Sequence, residues 1–216
     1  MSTTNVILAQ LANRVENPES TKFTTAAQLL ALNRAQEKLC LYIDPEYLTE
    51  LQVTSAATAL VGYAYDITGL SPAVLNGRMG ITAVQDESAG AANDFLKPMT
   101  LEQQKRLENT LLVADATNKV FYIFANSITC DYGGGATDNI YIHYLKKATT
   151  LTSGSTPDIS VNLEGVLLDF AEAFLWANAR QRDRRSKALK RGLDTIKKLN
   201  EEVRPVAGIG TTGSTP

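Results

Sequence analysis

With 216 residues, 44% of them apolar and 20% charged, the chain is long enough to bury a core as one domain with an insertion, or as two small domains. Its 21 Lys and Arg against 23 Asp and Glu leave a net charge of −2, which excludes a general polyanion binder. Two cysteines far apart, Cys40 and Cys130, exclude a disulfide scaffold or a cysteine-based metal site, and point to reduced thiols in a reducing compartment.

Val6, Ile7, Leu8, Leu11 and Val15 have helical spacing and predict a short first helix, stopped by Asn17-Pro18. Thr25 and Gln28 have capping-box spacing and open a second helix, whose stripe is Leu29, Leu32, Leu39 and Ile43 and which Asp44-Pro45 ends. A shorter helix is expected over Pro45–Leu51. Val, Thr, Ala and Tyr then dominate Gln52–Thr68, a strand pattern, and Gly69–Gly80 reads as a loop before a strand at Ile81–Val84. Asp86–Asn93 is small and polar, a surface segment, and Thr100 with Gln103 repeats the capping-box spacing before a helix over Leu101–Leu112. Val120–Cys130 and Ile140–Lys146 carry the strongest strand signals and predict a hairpin closed by the loop Asp131–Asn139. Thr149–Asp158 is a linker rich in Ser, Thr and Gly. Beyond it, Val161–Val203 repeats apolar residues every three to four positions and predicts one long helix, with Gly192 and Gly165 as the places where it would bend. Unbroken, roughly forty residues at about 1.5 Å each make a rod of about 60 Å, long enough to reach past its own domain. Val206–Pro216 has no regular period and is expected to be flexible.

This order predicts an α+β fold. A helical core of residues 1–51 and 157–204 surrounds a β-rich insertion, 52–156, containing the hairpin 120–146, and a flexible tail follows at 205–216. No run reaches the ~18 apolar residues of a membrane span, and Met1–Asn5 lacks the charged start of a secretory leader, so a soluble, cytoplasmically made protein is expected.

Catalytic and metal chemistry find little footing. His143, the single histidine, lies in an alternating strand with no cysteines nearby and reads as structural or surface. Gly133-Gly134-Gly135 is followed by a strand rather than a helix and lacks a phosphate-loop lysine, so it reads as a hairpin tip; Asp131 and Asp138 do not fit a calcium loop. No carboxylate pair is fixed at acid–base spacing, and the expectation is a chain with no enzymatic activity, cofactor or metal. The charged feature is the second half of the last helix. Between Asn178 and Leu199, Arg180, Arg182, Arg184, Arg185, Lys187, Lys190, Arg191, Lys197 and Lys198 stand against only Asp183 and Asp194. Bases near a helix C-terminus complement the helix dipole, and Asp183/Lys187 and Asp194/Lys198 are spaced as i,i+4 pairs. The same excess also fits a face for phosphates or an acidic partner, with Arg180, Arg182, Arg184, Arg185, Lys187, Lys190 and Arg191 as its residues.

Several local patterns in this order resemble one family. Thr25–Gln36, with Leu32-Asn33-Arg34-Ala35-Gln36 at its core, is similar to the early helix of the head-to-tail adaptor (connector) proteins of tailed bacteriophages, short-tailed ones above all. Gly62–Ile67 resembles the strand that leads into that family's β insertion, and Tyr141–Leu151 the strand that leaves it. Thr156–Ile159 and Phe170–Ala177 resemble its linker and its aromatic, alanine-rich final helix. The family often has Leu-Pro after the first strand's Tyr-Asp, whereas Ile67-Thr68-Gly69 follows here.

The resemblance implies a structural virion protein of the neck: a homo-oligomeric ring of twelve copies that binds the portal protein after DNA packaging. The ring extends the channel through which genomic DNA passes without sequence-specific contact, and gives tail or nozzle proteins a platform; no membrane is involved. Val206 and Ile209, apolar residues in the flexible tail, are the expected anchors on the portal or a neighbouring copy. The alternative is a non-enzymatic nucleic-acid-binding regulatory protein that uses the basic 180–198 segment.

Overall fold

A computed structural model describes residues 2–16, 22–75, 80–87, 95–100, 102–103, 119–131 and 139–203. The fold is α+β, and the chain divides into two compact units, Met1–Glu50 with Ala148–Pro216, and Leu51–Lys147. The tail at 205–216, the Gly133–Gly135 loop and nearly all of the expected helix at 101–112 lie outside the described residues.

The helical unit is built from α1 (Thr4–Arg14), α2 (Thr25–Tyr42), α3 (Glu164–Asn178) and α4 (Arg182–Val203). Ten of the fifteen residues of α3 are buried, so it is the helix around which the others pack: α1 and α2 on one side of the sequence, α4 on the other. Ile7 and Leu11 of α1, Leu32 and Leu39 of α2, and Leu167, Phe170 and Trp176 of α3 are 0–1% exposed. Each such side chain contributes about 1.5–3 kcal/mol by leaving water. The capping box of α2 falls one residue earlier than its spacing suggests: Thr24 Oγ1 accepts from Ala27 N (3.2 Å), while Gln28 Nε2 donates to Phe23 O (3.1 Å). The Thr100–Gln103 box forms as spaced, with Gln103 N donating to Thr100 Oγ1 (3.2 Å) and Thr100 N to Gln103 Oε1 (2.9 Å).

The expected 60 Å rod does not exist. Val161–Val203 breaks after Asn178, and α4 folds back along α3 as a helical hairpin. The break lies at neither glycine. Ala179 ends α3, Arg180 takes a left-handed conformation (φ 56°), Arg180 N donates to Ala177 O (3.1 Å) and Gln181 N to Trp176 O (2.9 Å). This pair of reversed bonds is a Schellman ending, with Arg180 where glycine is usual. Gly165 and Gly192 lie within continuous helix. Pro45–Leu51 is likewise two single 3-10 turns, Pro45–Tyr47 and Thr49–Leu51, rather than a helix.

The linker belongs to the helical unit, so the boundary falls at Lys147/Ala148 and not at 156. Two amides of α2 hold it. Asn33 Oδ1 accepts from Leu151 N (2.7 Å) and Asn33 Nδ2 donates to Leu151 O (3.1 Å), while Gln36 Nε2 donates to Thr149 O (3.0 Å). Further on, Thr4 N and Thr4 Oγ1 both donate to Ser155 O, at 2.8 and 2.7 Å. An extended segment with no strand beside it thus has its backbone groups satisfied by side chains.

The β unit holds two sheets. In the first, β8 (Asn139–Leu145) is central; β1 (Gln52–Thr54) and β2 (Thr58–Ala59) share one of its edges and β4 (Ile81–Asp86) takes the other, all antiparallel. The second runs β3-β7-β6-β5, from Ala64–Asp66, Ser127–Asp131, Val120–Phe124 and Lys97–Pro98, with only the β5–β6 pair parallel. The predicted hairpin 120–146 is therefore replaced. Val120–Asp131 is itself a tight hairpin that turns at Ala125-Asn126, with Ala125 at φ 53°, and β8 pairs in the other sheet. Period-two alternation on β8 turns Ile140, Ile142 and Tyr144 inward against Ile128, Cys130, Phe121 and Val84. Gln52–Thr68 likewise resolves into three short strands rather than one.

Candidate functional site

The seven basic residues singled out in sequence do not form one face. The turn between α3 and α4 divides them into three groups with different partners.

Arg191 and Arg184 are turned back onto α3. Arg191 Nη2 donates to Glu172 Oε2 and Arg191 Nε to Asp169 Oδ1 (3.2 Å), and Arg14 of α1 donates to the same Asp169 oxygen (2.7 Å). Glu172 Oε1 also accepts from the indole Nε1 of Trp176 (3.2 Å). The result is one connected network in which two largely buried carboxylates face two guanidinium groups, the arrangement buried charge requires. Arg184 lies over the Trp176 ring at 4.6 Å, with Lys22 Nζ at 4.5 Å from the same centroid, and reaches Glu16 at 3.5 Å. These are structural roles.

Lys187 and Lys190 form the second group and point outward from exposed positions on α4. The expected pairs Asp183/Lys187 and Asp194/Lys198 are not made. Among the described residues the i,i+4 pair that does form is Lys197 with Glu201, at 3.8 Å. Exposed pairs of this kind are worth at most about 1 kcal/mol, too little to hold two long side chains in one geometry.

Arg180, Arg182 and Arg185 form the third group. Together with Trp176, Ala177 and Gln181 they line a hollow of about 210 Å³ where α3 gives way to α4. No carboxylate lines it, and none of the three arginines has an ion pair among the described residues. Trp176 is the one tryptophan of the chain. Its part in the site is legible only from the fold, because in sequence it is one aromatic among several on an apolar helix. Asn33 and Gln36 are also functional in a structural sense that spacing did not reveal.

His143 is half-buried between three strands of the first sheet. Its Nδ1 lies 2.9 Å from Thr54 Oγ1 and its Nε2 3.2 Å from Gln85 Oε1, and its ring packs on Phe95 with centroids 5.5 Å apart. Burial holds its pKa below the usual imidazole value. Cys40 and Cys130 are buried thiols, and burial pushes Cys40 up to about 12. Among the described residues no group of three or more His, Cys, Asp or Glu side chains could hold a metal ion, and no helix is long and apolar enough to cross a membrane. Val206 and Ile209 lie outside the described residues. Set against known protein families and curated proteins, the chain matches none.

Proposed function

We propose that the chain is a structural adaptor of a tailed bacteriophage neck. In this reading it forms a homo-oligomeric ring, twelve copies by the family's pattern, that docks on the portal protein and carries tail or nozzle proteins. Genomic DNA passes through the ring with non-specific contact, and the chain performs no reaction and needs no cofactor. The observation that supports it is architectural. The two halves of the helical unit flank the β unit in sequence, and two of the family-like segments lie near its ends. Leu32-Asn33-Arg34-Ala35-Gln36 is the part of α2 that holds the linker, through Asn33 and Gln36. Tyr141–Leu151 supplies both the central strand β8 and the start of that linker. Two of the resembling segments, Leu32–Gln36 and the end of Tyr141–Leu151, therefore meet within the helical unit.

Quantitative mass spectrometry of purified virions tests the reading. A copy number equal to that of the portal protein is expected; absence from the particle would end it. In the same reading Val206 and Ile209 anchor the chain, so deleting residues 206–216 abolishes portal binding. Retention of binding would remove the tail from the docking surface.

A second reading, a non-enzymatic nucleic-acid-binding regulatory protein, is favoured by the three arginines that share a hollow without acidic partners. Salt-dependent binding of duplex DNA by the isolated protein, together with absence from virions, would bring it forward.

A further inference from the structure

We propose that the hollow at the α3–α4 turn is a binding site for a phosphate group. The inference does not depend on the adaptor reading. It rests on the contrast among the basic residues of one short segment. Arg191 and Arg184 are matched by carboxylates and an indole face, whereas Arg180, Arg182 and Arg185 converge on about 210 Å³ of open space with no acid at its rim. Three like charges held around one concavity repel each other, and an arrangement of that kind is relieved by an anion seated between them. Guanidinium is the side chain whose planar fork matches the oxygens of a phosphate, two N–H donors to two oxygens.

Two of the lining residues are apolar, Trp176 at 1% exposure and Ala177 half-buried, and a low-dielectric wall of this kind concentrates field lines in the opening. The turn then fixes the geometry. The Schellman bonds tie the backbone of Arg180 and Gln181 to Ala177 and Trp176, so four of the six lining residues are fixed by one turn. Arg182 and Arg185 stand three residues apart at the start of α4, which places them on one side of the helix. Asp183, the acid of this first turn, does not line the hollow.

The chemistry recognised is the phosphate oxyanion, whose source is either free phosphate or the phosphodiester of a nucleic-acid strand. The single tryptophan is the natural probe, since Trp176 lines the site and no other indole contributes emission. The full chain is titrated with sodium phosphate against sodium chloride of equal ionic strength, following Trp176 fluorescence. A saturable change with phosphate alone is expected. Arg182→Gln and Arg185→Gln each weaken it about tenfold, the loss of one charge-assisted contact. Lys198→Gln, near the far end of the same helix, leaves it within about twofold, as does any change confined to general charge. Circular dichroism melts separate lost binding from lost folding; both arginines are exposed, so the variants keep the parent's melting temperature.

A single-stranded oligonucleotide without terminal phosphate then distinguishes the sources. If it displaces phosphate, the site reads a nucleic-acid backbone; if it does not, the site takes free phosphate. No phosphate-specific change in Trp176 emission overturns the proposal. So does an equal loss of binding in Lys198→Gln, which would make the effect one of diffuse charge.

Discussion

Gly192 on α4 faces the ring of Phe170 on α3 so closely that a Cβ at Gly192 would stand 2.9 Å from Phe170 Cε1 and 3.1 Å from Cδ1. Phe170 is fully buried. The glycine is thus a packing device where two helices touch, in a position that helix propensity alone would give to alanine.

Gly192→Ala accordingly sets two effects against each other. Helix propensity gains about 1 kcal/mol, while overpacking against a buried ring costs about 1–3 kcal/mol. The expected outcome is net destabilisation in urea or guanidinium unfolding. Phe170→Leu in the Gly192→Ala background recovers part of the loss, a coupling that a double-mutant cycle reads directly. A stabilised Gly192→Ala would show that the helices separate without cost.

Arg191 holds Glu172 and Asp169 at the inner face of α3. Asp169 retains Arg14 when Arg191 is removed, but among the described residues Glu172 keeps only the indole N–H of Trp176. Arg191→Ala is therefore expected to cost about 1–3 kcal/mol, the penalty of leaving a largely buried carboxylate under-paired. Lys187→Ala, on the outer face of the same helix, changes stability by less than about 0.5 kcal/mol. Denaturant midpoints of the two variants check the contrast.

Stability of the β unit depends on pH through His143. The neutral ring with its proton on Nε2 donates to Gln85 Oε1 and accepts from the Thr54 hydroxyl, so both nitrogens are satisfied without charge. Burial lowers the folded-state pKa below the unfolded value, so the unfolded chain takes up a proton first as pH falls. The β unit is expected to lose stability as pH drops from about 7 through the ordinary imidazole range near 6.5, levelling off below the depressed folded pKa. His143→Gln removes this share of the slope. Melts followed at several pH values, wild type against variant, measure it.

The two thiols report on different units, Cys40 on the helical one and Cys130 on the β one. Both are buried, and the Cys40 thiol is held protonated by a pKa near 12, so neither is expected to react with a thiol reagent in the native protein. Each reacts once its own unit opens. Cys40→Ser and Cys130→Ser, labelled in rising denaturant, give one opening curve per unit; coincident curves would show that the two units unfold as one.

How far the fold was readable follows from which signals are local. The places of α1 and α2 were legible because periodicity and prolines mark them, and so was a strand at Ile81–Val84, which runs on to Asp86, a buried residue that sequence assigned to a surface segment. The hairpin of α3 and α4 was hidden because Asn178-Ala179-Arg180-Gln181 contains neither Pro nor Gly, and the left-handed residue is an arginine. The signal that was present lay in character rather than period: α3 is apolar on nearly every side, α4 on one. The Val120–Asp131 hairpin was hidden in the same way by Ala125, at a positive φ where glycine or asparagine would have announced a turn. Pairing of β8 with β1, β2 and β4 joins residues far apart in sequence and leaves no local trace. The basic segment was visible as charge, but only the fold sorts it into neutralised, outward and convergent groups.

The insertion of one unit inside the other also sets an order of events on the ribosome. Residues 51–147 leave the ribosome, and can pair β8 with its partners, before all of α3 has emerged. Until then α1 and α2 wait with Leu11, Leu32 and Leu39 uncovered, since the helix that buries them lies more than a hundred residues downstream. A nascent chain whose α3 is still inside the ribosome is thus a β unit joined to two sticky helices that a chaperone would hold. A β unit that folds early shortens the effective loop between α2 and α3, and so lowers the entropy that must be surrendered when they meet.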